Sequence, residues 1–226
     1  MKYDAIIFDL FGTLVDNPTF QDYNQLLSQM ASVLSLPSKK FSDLWIETAQ
    51  NRAIGIFKTT EENLRYIHNA LQINVNENQL KKVIQFKLDF TRKGLTPKSD
   101  AIKTLSELKN RDLKIGLISN CSADVPILWK NTKFAKFIDV AILSCSVGLK
   151  KPDPKIYNLA CEKLDITPQN CLYIGDGDNH ELTGASEVGM DAILIRDPHQ
   201  KDPYYLDKEE WNGQKISFLK EVFKFL

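Results

Sequence analysis

Asp9, Ser119, Asn120, Lys151 and Asp176 each stand at or just beyond the end of a short apolar run. By type they are a nucleophile or metal ligand, a hydroxyl-amide pair, a cation and a second acid. Carboxylate oxygens are what a hard divalent cation takes as ligands, and a lysine with N–H or O–H donors is what a phosphoryl group binds. Together these side chains suit a phosphoryl group and a divalent metal. Asp9 closes the apolar start of IIFDLFGTLVD (6–16), Gly12 and Thr13 follow it, and two positions beyond it stands Phe11 instead of another acid.

Such scattered residues meet only if the elements between them bring their ends together. The runs YDAIIFD (3–9), LKIGLI (113–118), DVAILS (139–144), CLYIG (171–175) and DAILI (191–195) read as strands buried on both faces, the pattern of a parallel sheet. Helical rhythms occupy 99–110, 124–133, 153–164 and 179–188, with Ser99 ahead of the first and Pro154 at the start of the third. Alternation of strand and helix predicts an α/β fold, a doubly wound and mostly parallel sheet covered by helices. In such a sheet a site lies at the carboxyl ends of the strands.

About a hundred residues separate the first two strand runs. Over 19–92 the apolar positions follow a helical period, at Tyr23, Leu26, Leu27 and Met30, then Leu44, Trp45, Thr48 and Ala49. Pro37 and the stretches 59–60 and 74–78 divide the segment into roughly four helices. The expected organisation is a core of 1–15 and 96–226 with an α-helical cap of 16–95, joined by linkers near 15–18 and 93–98. The tail after 198 is expected to be a polar loop, a short strand and a final helix.

With 29 basic and 29 acidic side chains in 226 residues the chain is formally neutral. That suggests no nucleic-acid and no membrane-surface partner. No apolar run approaches the ~20 residues of a membrane span, and the early Asp4 and Asp9 argue against a signal peptide. Cys121, Cys145, Cys161 and Cys171 form no CxxC pair and read as reduced, buried thiols of a cytoplasmic protein.

FDLFGTLVD (8–16), LISN (117–120), GLKKPDPKIY (148–157) and YIGDGDNHELTGASEVGM (173–190) resemble, in order, the motifs of the haloacid dehalogenase (HAD) superfamily of hydrolases. The resemblance is to the kind with a helical cap inserted after the first strand. It implies that Asp9 attacks a phosphorus or carbon and forms a covalent aspartyl intermediate. Gly12 and Thr13 would shape the loop beneath it. Ser119 and the N–H of Asn120 would hold the transferred group, and Lys151, the lysine directly before proline, would neutralise Asp9 and the substrate. Mg²⁺ would be bound by Asp9, Asp176 and the Phe11 carbonyl oxygen, with Glu181 as the further acid and Asp178 a weaker alternative. The implied partner is a small, phosphorylated substrate. Arg52 and Arg65 could face it from the cap, but each reads first as a surface charge. Trp45, Phe57 and Tyr66 read as cap core, His180 as a solvated loop residue and Asp178 as a loop or N-cap residue.

Phe11 complicates the reading. Phosphatases of the family carry there an aspartate that protonates the leaving alcohol, work typically worth ~10²–10⁴-fold. The dehalogenases carry an aromatic residue, tyrosine, because halide leaves unprotonated, but they lack the metal-binding Gly-Asp that Gly175 and Asp176 retain here. The preferred reading is a Mg²⁺-dependent phosphatase with unusual acid–base chemistry. A 2-haloacid dehalogenase-like hydrolase attacking carbon, and a non-catalytic metal- or phosphate-binding module, stay open beside it.

Overall fold

The β-rich runs become strands because each alternates apolar side chains between two covered faces. In a computed structural model describing residues 2–74, 76–196 and 209–226, β1 (Ala5–Phe8) is followed by α1 (Phe20–Val33), α2 (Ser38–Glu47), α3 (Ala49–Ala53), α4 (Thr60–Ala70) and α5 (Glu77–Gly94). Then come α6 (Ala101–Lys109), β2 (Lys114–Ser119), α7 (Asp124–Trp129), β3 (Val140–Leu143), α8 (Ser144–Val147), α9 (Pro154–Leu164), β4 (Cys171–Gly175), α10 (Glu181–Glu187), β5 (Asp191–Ile195) and β6 (Gln214–Ile216). The strands form one six-stranded sheet in the order β3-β2-β1-β4-β5-β6, and every pairing is parallel.

β1 is central. Phe8 lies opposite Leu117 on one side and Ile174 on the other, so the loops leaving β1, β2 and β4 emerge side by side. Ile6 and Phe8 join one core layer with Leu105, Leu117, Ile174 and Leu219. Ala5 and Ile7 join the other, with Ile156, Tyr157, Tyr173 and Leu182. The α/β expectation therefore holds, down to Pro154 in the first turn of α9, where Asp153 also caps.

α1, α2, α4 and α5 pack around a separate apolar cluster that includes Leu27, Met30, Phe41, Trp45, Leu64, Ile67 and Val83. Thr19 caps α1 in a capping box with Asp22, and Thr59 and Asn76 accept from the first turns of α4 and α5. Five helical pieces replace the roughly four expected, since the chain breaks at Thr48 and restarts as the short α3. Ser99 does not cap α6; Asp100 holds the cap position without a side-chain bond. α7 stops at Trp129, short of the expected 133. The expected strand in the tail is β6, whereas the expected final helix is a 3₁₀ turn, Leu219–Lys224. Residues 199–208 of the predicted polar loop lie outside the described residues. Among the described residues no helix is long and apolar enough to cross a membrane.

Candidate active site

The turn after β1 places the first acid. Asp9 N donates to Ile174 O of β4 at 2.9 Å, which ties it to the strand pair. The turn then needs Gly12, at φ +81°, because a Cβ there would stand 2.0 Å from Asp176 Oδ2. Two loops carrying expected site residues thus meet at the one position without a side chain.

Lys151 is the hub. Its ammonium donates to Asp9 Oδ1 at 2.5 Å, to Glu181 Oε2 at 2.5 Å and to the Tyr173 hydroxyl at 3.2 Å. Tyr173 in turn donates to Glu181 Oε2 at 2.8 Å, and Gly177 N donates to Glu181 Oε1 at 3.1 Å. Asn120 fixes the backbone of the same lysine: its Oδ1 accepts from Lys151 N at 2.8 Å and its Nδ2 donates to Lys151 O at 3.1 Å. Asp176 accepts from Asn17 Nδ2 at 2.8 Å and from Asp178 N at 3.3 Å.

Carboxylate oxygens of Asp9, Asp176 and Glu181, all buried, lie within 4.8 Å of one another. Burial pushes the Asp9 carboxyl up to about 6, against the pull of Lys151 and with the push of Glu181. Burial likewise pushes Glu181 up to about 7, opposed by Lys151 and reinforced by Asp176. Burial works against the charge on Lys151, yet Asp9 and Glu181 hold it above the ordinary lysine range. The direction is the same throughout: negative charge is crowded into a dry space in which Lys151 is the cation that bonds to it among the described residues.

Asp9 Oδ2, Thr13 Oγ1 and Ser119 Oγ are buried and find no hydrogen-bond partner among the described residues. Buried polar atoms are nearly always paired, so three orphans beside the carboxylates fit a bound group. Surplus carboxylate suits a divalent cation, and the two hydroxyls suit an oxyanion.

A cavity of about 810 Å³ lies between α1, α3 and α5 and the loops that follow β1, β2 and β4. The clustered carboxylates, Lys151 and the two orphan hydroxyls do not themselves line it, but their chain neighbours Phe11, Asn120 and Asp178 do. Its lining includes Phe11, Asn17, Asn120 and Asp178 from below and Tyr23, Arg52 and Phe90 from above. Phe11 packs against the sheet core and faces this space. Asp178, pushed up to about 6 by burial, also lines it. It is a loop residue and not the N-cap of α10, a place His180 takes in a left-handed conformation, exposed as expected.

Two expectations in the helical segment need correction. Arg52 is no surface charge: at 8% exposure it donates to Trp45 O, Thr48 Oγ1 and Asn63 Oδ1, with its guanidinium 4.2 Å over the Trp45 ring. A planar cation stacked on indole is stable out of water only with such acceptors around it. Tyr66 is 46% exposed, so of the expected aromatic core stripe only Trp45 is fully buried. Arg65 does lie at the surface, paired with Glu61 and Glu77, and takes no part in lining the cavity. Sequence reasoning missed Asn17, Tyr173 and the buried Lys87–Asp124 pair beside the cavity. Of these only Tyr173 carried a signal, a hydroxyl inside an otherwise apolar strand.

A family model for haloacid dehalogenase-like hydrolases matches residues 3–189. The chain belongs to that family. It is 24% identical over 196 residues to (S)-2-haloacid dehalogenase 4A of Burkholderia cepacia, covering 84% of this chain and 82% of that one. It is 30% identical over 105 residues to a glyceraldehyde 3-phosphate phosphatase of Methanopyrus kandleri, covering 45% of this chain and 44% of that one. The Rhythmically expressed gene 2 protein of Drosophila melanogaster is 39% identical over 106 residues, 46% of this chain, and the match spans 40% of that longer protein. A HAD phosphatase structure from Thermococcus onnurineus superposes with a TM-score of 0.67 at 21% identity, over 98% of this chain and 97% of that one. At that identity the likeness is one of fold. This HAD-like hydrolase thus has relatives that are phosphatases and relatives that are dehalogenases.

Proposed function

We propose that the protein is a Mg²⁺-dependent phosphohydrolase that acts on a small phosphorylated metabolite through an aspartyl-phosphate on Asp9. The observation that carries this reading is the cluster of Asp9, Asp176 and Glu181 within 4.8 Å around a single lysine, with the buried Asp9 Oδ2 unpartnered. Asp9, Asp176 and the Phe11 carbonyl would hold the metal, with Glu181 behind them. When bound there, the ion supplies positive charge against the carboxylates and the phosphoryl oxygens.

The chain's own residues do the rest. Asp9 attacks phosphorus, forming an acyl-phosphate bond as the ester oxygen departs with its electron pair; water then cleaves the intermediate. Lys151 orients the attacking carboxylate and offsets its charge. Ser119 Oγ and the Asn120 N–H donate to phosphoryl oxygens, and Thr13 sits in the turn beneath them. Phe11 cannot protonate the departing oxygen, so the best substrates are those that leave as stable anions, aryl, enol or acyl phosphates. Helices α1–α5, as a cap domain of 16–95 on a core of 1–15 and 96–226, close the site and select the substrate, Arg52 lining the roof and Arg65 outside it. The four free thiols suit a reducing compartment such as the cytoplasm.

A second reading is favoured by two observations: an aromatic residue at position 11, and the dehalogenase relatives that match over 84% of the chain. In it Asp9 displaces halide from carbon without a metal. Initial rates on p-nitrophenyl phosphate, acetyl phosphate and 2-chloropropionate, each with Mg²⁺ and with EDTA, decide between the two. Phosphate release that needs Mg²⁺ is the expected result. Halide release unaffected by EDTA, with no phosphate release, would make it a dehalogenase.

A further inference from the structure

The loop from Asp176 to Glu181 carries two of the three clustered carboxylates, yet the helix it enters has no cap of its own. His180 stands at the N-cap position of α10, where its side chain does not cap the first turn. The first N–H groups of a buried helix need acceptors, and here a distant residue provides them. Leu182 N donates to Glu209 Oε2 at 3.0 Å, Thr183 N to Glu209 Oε1 at 2.8 Å, and the Thr183 hydroxyl to that same Oε1. Glu209 is itself only 4% exposed.

The same residue also grips the loop at its other end. Glu209 N donates to Gly177 O at 2.9 Å. Gly177 needs the left-handed conformation it adopts, φ +85°, and its N–H is the donor to Glu181 Oε1 at 3.1 Å. A continuous chain of contacts therefore runs from Glu209 through the backbone of Gly177 to Glu181, then to Lys151 and Asp9. Glu209 lies beyond residues 3–189, where the family match ends.

We propose that Glu209 is a positioning residue of the active site: from the C-terminal segment it sets the path of the 176–181 loop, and so where Asp176 and Glu181 present their carboxylates. It touches no substrate. A carboxylate suits the place because two backbone N–H groups and a hydroxyl converge on it at the positive end of a helix. Alanine removes all three acceptor contacts, whereas glutamine keeps one carbonyl oxygen.

The test uses Glu209→Ala, Glu209→Gln and a remote core control, Cys161→Ala, in the full chain. Amide hydrogen exchange is measured first, on metal-free protein. In Glu209→Ala the amides of Leu182 and Thr183, which lose their acceptor, should exchange about 10-fold faster or more, the size of one lost hydrogen bond. That of Gly177, whose acceptor Glu181 shifts with the start of α10, should follow them, while those of β1 and β2 keep their rates. Glu209→Gln should fall between. Calorimetry with Mg²⁺ alone follows, and rests on the metal reading above; affinity should weaken about 10-fold in Glu209→Ala and stay unchanged in the control, even where the control loses as much Tm. Wild-type exchange at those three amides, or faster exchange spread evenly over the sheet with Mg²⁺ affinity tracking Tm in all variants, overturns the proposal. Absence of Mg²⁺ binding by the wild type overturns the metal reading instead, and the exchange data then decide for or against Glu209 alone.

Discussion

Two lysines of this chain are buried against carboxylates at the same distance, and they do opposite things. Lys151 lies 2.5 Å from Asp9 and 2.5 Å from Glu181. Lys87, on α5, lies 2.5 Å from Asp124 at the start of α7. Around Lys87 the charges balance and hydroxyls complete the shell: Thr91 and Ser122 both donate to Asp124. Burial alone would raise the Asp124 pKa, but Lys87 and the hydroxyl donors outweigh it and hold Asp124 below the ordinary carboxylate range. Around Lys151 there is more carboxylate than cation, and Asp9 and Glu181 are pushed up to about 6 and about 7. The balanced pair fastens the helical segment to the sheet core, whereas the unbalanced one, on the proposed reading, is charged for a ligand. What separates adhesion from chemistry here is the number of carboxylates each cation must serve.

The strongest way to break this contrast is to remove the nucleophile. Asp9→Asn should lower kcat/KM on p-nitrophenyl phosphate by about 10³-fold or more, since an amide is a poor nucleophile, while the variant stays folded by circular dichroism. A purified mutant keeping most of the rate would end the covalent mechanism.

Breaking the other pair should cost stability. Lys87→Met strands a buried Asp124 carboxylate and should destabilise by about 3–5 kcal/mol in urea unfolding. The double change Lys87→Met/Asp124→Leu should recover most of that loss, because a buried ion pair replaced whole by apolar residues is often neutral. A double variant as unstable as the single one would mean that the pair does more than balance itself.

Phe11→Asp sharpens the comparison by adding an acid to the unbalanced side. Turnover of an alkyl phosphate should rise by about 10-fold, part of the ~10²–10⁴-fold a positioned acid can supply, with less change on p-nitrophenyl phosphate, whose leaving anion needs no proton. The gain stays partial because a packed ring is lost and another negative charge arrives near Asp9. Equal or lower kcat/KM on both substrates would show that Phe11 belongs to a different chemistry.

Acid titration should separate the two sites by sign. The folded Asp124 pKa is lowered, so its stabilisation is complete above the ordinary value of about 4 and is lost as the pH falls through and below it. Asp9, raised to about 6, works the other way in metal-free protein, costing stability as the pH rises from about 4 through about 6. Tm followed from pH 3 to 7 in EDTA should show the acid loss shrink in Lys87→Met/Asp124→Leu and the upper slope shrink in Asp9→Asn. The smallest effect is expected at the surface: Arg65→Ala, which removes an exposed pair, should leave Tm and kcat/KM unchanged within error.

What could be read from the sequence was whatever depends on neighbours along the chain. The strands of the sheet were legible because a run buried on both faces is apolar throughout. Asp9, Ser119, Lys151 and Asp176 were legible because each sits at a strand end or beyond it, and strand ends of a parallel sheet converge. Glu181, and Lys151 over its neighbour Lys150, came only from the resemblance to the family's motifs. Arg52 was misread because a helical period shows which side a residue occupies, not that a neighbouring indole and three acceptors wait there. Asn17 looked like any linker polar residue until folding laid it against Asp176. Glu209 is one acid in a polar tail, and only the return of the chain past Gly177 brings it to the start of α10. Lys87 and Asp124 are ordinary members of two separate helices until these pack together. Local pattern decided which elements form and which side chains stand at their ends. The tertiary structure alone decided which charges are buried together and in what ratio, because burial and pairing are properties of a place in space that residues far apart in the chain must share.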